Sequence, residues 1–153
     1  MRIALTLATA LSLTFPALVF ALDDATASAA ATAQVTVTID RLYDTTGTVE
    51  IGLYADEAGW NSDGPVASLN VAPVDGTIHA VFENLDPGNY AVRLYHDVDG
   101  DGEFGTNVMG IPNEPYGFSN NPWPRFRGAR FDESVFELDA GENSVVAIEL
   151  MGG

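Results

Sequence analysis

Between Gln34 and Met151 apolar and polar residues alternate in short runs, and the period of the alternation is two. In "QVTVTIDRL" the residues Val35, Val37 and Ile39 share one face while Thr36, Thr38 and Asp40 share the other, the signature of a half-buried strand. "GTVEIGLYAD" repeats it with Val49, Ile51 and Leu53 after a "TTG" turn. "EAGWNSDGP" interrupts the pattern with Gly59, Gly64 and Pro65, which predicts a loop with Trp60 folded back as an apolar plug. "VASLNVAP" and "GTIHAVFENL", separated by "PVDG", are expected to form a hairpin. "DPGNYAVRLYHD" turns at Pro87-Gly88 and then places Tyr90, Val92 and Leu94 inward, and "SVFELDAGENSVVAIELM" supplies two last strands. About seven short strands with no sustained helical spacing predict an all-β fold, an antiparallel sandwich with one long irregular loop region.

The ends of the chain divide differently. Arg2 precedes the apolar run "IALTLATALSLTFPALVFA", which closes on Val19-Phe20-Ala21, so residues 1–21 are expected to be a secretory signal cut after Ala21. Pro16 and the short apolar length disfavour an uncleaved membrane anchor. Residues 22–33, with the small, low-complexity run "DDATASAAATA", are expected to be a flexible leader, and 34–153 the domain. A periplasmic or secreted location follows from the signal. Cysteine is absent, so neither a lipid-anchored cysteine nor a disulfide framework holds the fold.

Charge narrows the partners. There is no lysine, and 22 acids against six arginines give a net charge of −16. Such a surface repels phosphate backbones and anionic lipid heads, which argues against nucleic acid and against membrane insertion after signal cleavage, and it favours cations. Most of the acids read simply as solvating surface.

The stretch from Asp97 to about Arg130 has little strand pattern, and loops of that length in compact domains are usually functional. It opens with "DVDGDGEFG", in which Asp97, Asp99 and Asp101 alternate ahead of Gly102, followed by Glu103, whose backbone carbonyl is the next candidate ligand. Alternating carboxylates on a tightly turning backbone can converge on calcium, which takes six to eight oxygens. Gly105 and Val108 stand where a helix-loop-helix calcium site needs its later ligands, so the expectation is a calcium loop hung between strands, with Thr106, Asn107, Asp132 or water completing it. The competing reading is an acidic turn in which aspartates cap backbone amides and Gly100 and Gly102 take positive φ. Zinc is disfavoured, since only His79 and His96 offer nitrogen and there is no thiol.

His96 continues the inward face of Tyr90, Val92 and Leu94, which predicts a buried histidine bonded to backbone, or else a base beside Asp97. His79 is expected on the solvent face. Neither comes with a nucleophile motif; Ser119 is a candidate only by nearness in sequence, and no catalytic residue is assigned. Downstream, Glu114, Tyr116, Phe118, Asn120, Asn121 and Trp123 combine aromatic rings with amides, a composition that stacks on a sugar or peptide, or that plugs a long loop. Arg125, Arg127 and Arg130 either balance the acidic loop or grip an anionic group.

Pro87-Gly88-x-Tyr90, Tyr95-His96-Asp97, Asp99, Asp101-Gly102, Gly110-Ile111-Pro112 and Glu114-x-Tyr116-Gly117-Phe118-Ser119-Asn120-Asn121 together resemble the signature of a family of small exported bacterial proteins known only as a domain of unknown function. The resemblance implies a prealbumin-like or immunoglobulin-like sandwich and no catalytic residues. The chain departs from the family's pattern at Asp99 and Asp101, where asparagine is frequent, and at Gly105, where an acid is frequent. The functional expectation is an exported, non-enzymatic binding or structural module with a calcium-stabilised acidic loop, meeting an extracytoplasmic protein or glycan through its aromatic segment. The alternative is a small hydrolase or isomerase using His96 with Asp97.

Overall fold

The computed structural model describes residues 31–40, 42, 44–125 and 127–152; the expected signal and nearly all of the expected leader lie outside the described residues. Strands β1 (Ala33–Asp40), β4 (Ile78–Leu85) and β8 (Asn143–Glu149) form a three-stranded sheet in the order β4-β1-β8. A five-stranded sheet contains β3 (Ala67–Val71), β2 (Thr48–Tyr54), β5 (Gly88–Asp97) and β6 (Tyr116–Phe118) in that order, with β7 (Phe136–Leu138) also paired to β5. Two short helices, α1 (Glu57–Ser62) and α2 (Phe131–Ser134), sit in the connections. The molecule is mostly β and sandwich-like. Among the described residues no helix is long and apolar enough to cross a membrane.

The period-two faces become the core. Val35, Val37 and Ile39 of β1, Ile78, Ala80 and Phe82 of β4, and Val146 and Ile148 of β8 meet Val49, Ile51 and Leu53 of β2 and Val92 and Leu94 of β5. Burial of this apolar surface, worth roughly 25 cal/mol per Å² removed from water, holds the two sheets together. His79 points outward as expected.

Three details depart from the sequence expectation. First, β1 and β8 run parallel, from Gln34 opposite Asn143 to Asp40 opposite Glu149, so the smaller sheet is mixed. Alternation marks an inward face but not the direction of the neighbouring strand. Second, "VASLNVAP" and "GTIHAVFENL" are not a hairpin: β3 pairs with β2 and β4 with β1, so the segment between them crosses from one sheet to the other. Third, the Trp60 segment is a short helix. Asp56 caps it by accepting the Gly59 N–H at 2.7 Å, and Asp63 ends it in the left-handed conformation. Trp60 is a buried plug nonetheless, its indole N–H donating to the Ala129 carbonyl at 3.1 Å.

Two clasps set the ends of β5. At its start, the Tyr90 hydroxyl donates to the Asp86 carbonyl at 2.9 Å, closing the Leu85-to-Tyr90 turn. At its end, Gly47 lies so close that a Cβ on it would stand 1.8 Å from the Asp97 carbonyl oxygen, and its φ is +75°. Only glycine fits there without moving the strand end that carries His96 and Asp97. Gly47→Ala is therefore expected to lower stability by more than about 2 kcal/mol, read as a shifted midpoint in urea unfolding.

Candidate functional site

The loop after β5 folds around its first carboxylate. Asp97, only 3% exposed, accepts the Gly100 N–H at 2.7 Å on one oxygen and the Gly102 N–H at 2.9 Å on the other. Gly100 and Gly102 both take positive φ, which lets the backbone curl back over Asp97. Asp99 and Asp101 accept further along, from the N–H groups of Asp101 and Glu103 at 3.3 and 2.8 Å. The amide-capping geometry expected of an acidic turn is thus present.

A second buried carboxylate enters from the far side of the loop. Glu114, 5% exposed, accepts the Val98 N–H at 3.0 Å and the Gly105 N–H at 2.8 Å, bridging both ends of the acidic stretch. Carboxylate oxygens of Asp97, Asp99 and Glu114 lie within 4.8 Å of one another, a group that could hold a metal. Each oxygen that accepts one amide keeps a further lone pair, so capping and ligation are compatible. No arginine forms an ion pair with any of the three among the described residues. An all-oxygen donor set with spacing of this order suits a hard cation, whose bonds to oxygen are roughly 2.0–2.6 Å.

Of the sequence-nominated metal ligands, the carboxylates of Asp97 and Asp99 converge, while that of Asp101 stays exposed and outside the group; Glu103, nominated through its backbone carbonyl, is exposed too. Glu114 joins it, although the sequence suggested it for partner binding. Its place could not be read from spacing, because it is brought in by the turn in which Thr106 bridges Pro112 and by the Asn113 N–H bonding the Gly105 carbonyl. Asn107 spends its side-chain oxygen on the N–H groups of Met109 and Ile111, and Asp132 pairs with Arg130.

His96 is fully buried at 0% exposure. Its Nε2 donates to the Thr46 carbonyl at 2.7 Å, since a carbonyl can only accept, and its Nδ1 is buried without a partner among the described residues. A base acting on a substrate needs an open face, and this ring has none, so the hydrolase or isomerase reading loses its central residue. Ser119 is likewise fully buried: its hydroxyl accepts the Val92 N–H at 2.8 Å and donates to the Ser134 carbonyl at 2.5 Å.

The aromatic segment separates into inner and outer parts. Phe118 is buried and Tyr116 half-buried, in a cluster with Tyr54, Trp60, Ala91, Ala129, Phe131 and Met151 on the outer face of the larger sheet. Asn120 and Asn121 hold the left-handed conformation and act as clasps: Asn120 donates to the Val135 carbonyl at 2.8 Å, and Asn121 exchanges bonds with Ala147 and Glu149 of β8. Their amides are committed within the fold. Trp123 is 74% exposed, beside Arg125. Arg127 and Arg130 fall to Glu133 and Asp132, and the Arg127 guanidinium with the Arg130 amide pulls the Glu133 carboxyl down to about 2.

Sequence reasoning passed over the outward face of β5. There Arg93 donates to the Tyr54 hydroxyl at 2.7 Å, pairs with Asp63, and lies over the rings of Tyr54 and Trp60. Tyr95 follows, with Phe104 of the acidic loop against it and Tyr116 beyond, ring centroids 5.4 and 5.6 Å apart in turn. The available signal was period two itself, which sends Arg93 and Tyr95 outward wherever Val92 and Leu94 go in.

Burial pushes the Tyr95 phenol up to about 12, with the charges of Glu50, Asp97 and Glu114 acting in the same direction. The neutral phenol is favoured in the folded state, so stability falls as pH rises from the ordinary value of 10 towards 12. Ultraviolet titration is expected to show a phenol ionising at about 12, and Tyr95→Phe to remove that component.

Residues 37–146 match the pattern of the family DUF2141, described as an uncharacterized protein conserved in bacteria. No curated protein and no solved structure matches the chain. The matched span takes in both sheets, the acidic loop and Glu114, and the chain belongs to this bacterial family.

Proposed function

We propose that the protein is an exported, non-enzymatic β-sandwich module in which calcium, held by Asp97, Asp99 and Glu114, ties the acidic loop to the aromatic segment. The observation that carries this reading is the approach of Glu114. It stands two residues before β6, so an ion shared between it and Asp97 joins the end of β5 to the start of the aromatic segment. Two largely buried carboxylates and a third beside them repel one another, and a divalent cation offsets that repulsion. Asp101 and Glu103 add to the negative field at the solvent side.

Calcium is favoured over magnesium because the loop is irregular and already engaged with amides, which suits a cation of flexible coordination better than one demanding a near-ideal octahedron. The segment so ordered offers exposed Trp123 to a protein or glycan outside the cytoplasm. The signal-like start of the chain supports that location.

Thermal melts in EDTA, calcium and magnesium at matched ionic strength test the reading. Calcium at a hundred times its dissociation constant adds about 2.7 kcal/mol, and the melting temperature of a domain this size should rise by roughly 10 °C. Asp97→Asn combined with Glu114→Gln should abolish the calcium-dependent rise, whatever it does to stability in EDTA. Coincident melts of the unaltered protein in calcium and EDTA would reduce the loop to an amide-capped acidic turn.

A further inference from the structure

The outer face of the five-stranded sheet carries a groove of about 500 Å³. Register explains its floor. Glu50 lies opposite Asn70 on one side and Tyr95 on the other, with Tyr116 beyond; Gly52 lies opposite Ser68 and Arg93, with Phe118 beyond. Gly52 keeps this second row open, since a Cβ there would stand 2.8 Å from the Tyr54 ring. Phe104 and Trp60 contribute to the walls.

Three charged side chains line the groove, and two of them are spent. Arg93 and Asp63 pair with each other, and the Arg93 guanidinium centre also lies 4.8 and 5.2 Å from the ring centres of Tyr54 and Trp60. Glu50 is the third. Among the described residues its side chain takes part in no ion pair, although partial burial and the charge of Asp97 both press its carboxyl towards the neutral form. The groove therefore holds an unpartnered carboxylate next to Tyr95, from which a row of rings continues through Phe104 to Tyr116.

We propose that this groove is a binding site for a small organic cation, its ammonium group seated between the Glu50 carboxylate and the ring row that starts at Tyr95 and continues through Phe104. A carboxylate supplies the opposite charge and ring faces supply the quadrupole attraction that selects ammonium over a neutral group of equal shape. The volume lies in the range that takes a small molecule. The net charge of −16 draws cations to the surface and repels anions. A neutral sugar fits less well, because it leaves the Glu50 carboxylate uncompensated. The inference rests on the residues that line the groove, one of which, Phe104, reaches it from the acidic loop.

Calorimetric titration of the protein at low salt with choline and with its uncharged tert-butyl analogue tests it. Choline should bind about tenfold more tightly than the neutral analogue. Glu50→Gln, at a partly exposed sheet position, should melt as the parent does and lose that preference; Phe104→Leu should weaken choline binding without restoring it to the neutral analogue. Equal affinity for the two probes, an unchanged preference in Glu50→Gln, or no heat from choline would each overturn the proposal. Binding of a disaccharide in place of choline would do the same and make the groove a glycan site.

Discussion

Two carboxylates inside the domain, Asp97 and Glu114, set the shape of everything on the loop side of the sandwich. A buried carboxylate without partners is costly, and here the partners are backbone amides: Gly100 and Gly102 for Asp97, Val98 and Gly105 for Glu114. Four loop N–H groups thereby find acceptors that no strand supplies, which is how an irregular stretch can lie against a sheet edge without orphaned donors. The same bonds leave the carboxylates close together, with no arginine paired to them among the described residues. A loop that is satisfied in hydrogen bonds and unsatisfied in charge is the condition from which the metal reading grows.

Strand β5 transmits that condition to both faces of the larger sheet. Its inward residues Val92 and Leu94 are core, and the inward His96 fixes the strand end by bonding the Thr46 carbonyl beside Gly47. Its outward residues Arg93 and Tyr95 meet a second apolar cluster built from Trp60, Phe118 and Met151. The acidic loop returns Phe104 to Tyr95, so the position of that ring depends on the amide bonds to Asp97 and Glu114. Core, loop and groove are therefore three consequences of one strand and the bend at its end.

Strand faces were legible because alternation is local: Val35 to Ile39, Val49 to Leu53 and Tyr90 to His96 go inward as their period requires. Pairing was not, because period two says which face a residue occupies and nothing about its neighbour; hence the parallel β1 and β8, and β3 and β4 in separate sheets. The aspartates at 97, 99 and 101 were legible as a turn-forming run, though not that only the first two converge. Glu114 was not placed with them, since seventeen positions separate it from Asp97 and only the Thr106 to Pro112 turn brings it back. Asn120 and Asn121 looked like ligand-facing amides; their left-handed backbone and their bonds to β8 and to Val135, between α2 and β7, make them clasps. An asparagine in sequence carries no sign of whether its amide faces solvent or a neighbouring carbonyl.

The absence of lysine sharpens the electrostatics of the whole face. Arg93, Arg127 and Arg130 are each held by an aspartate or glutamate of their own, none of which belongs to the acidic group. Loop and groove are left sharing one field: burial raises both the Glu50 carboxyl and the Tyr95 phenol, and the charge of Asp97 adds to each in the same direction. A cation bound at the loop lowers that field, easing the ionisation of Glu50 while weakening the general attraction for a second cation. The two effects oppose each other, and they scale differently with salt, because the pairwise contact with Glu50 is short and the general field is screened beyond about 10 Å at 0.1 M. Added salt therefore weakens the general field first and leaves the local contact with Glu50 as the larger remaining effect.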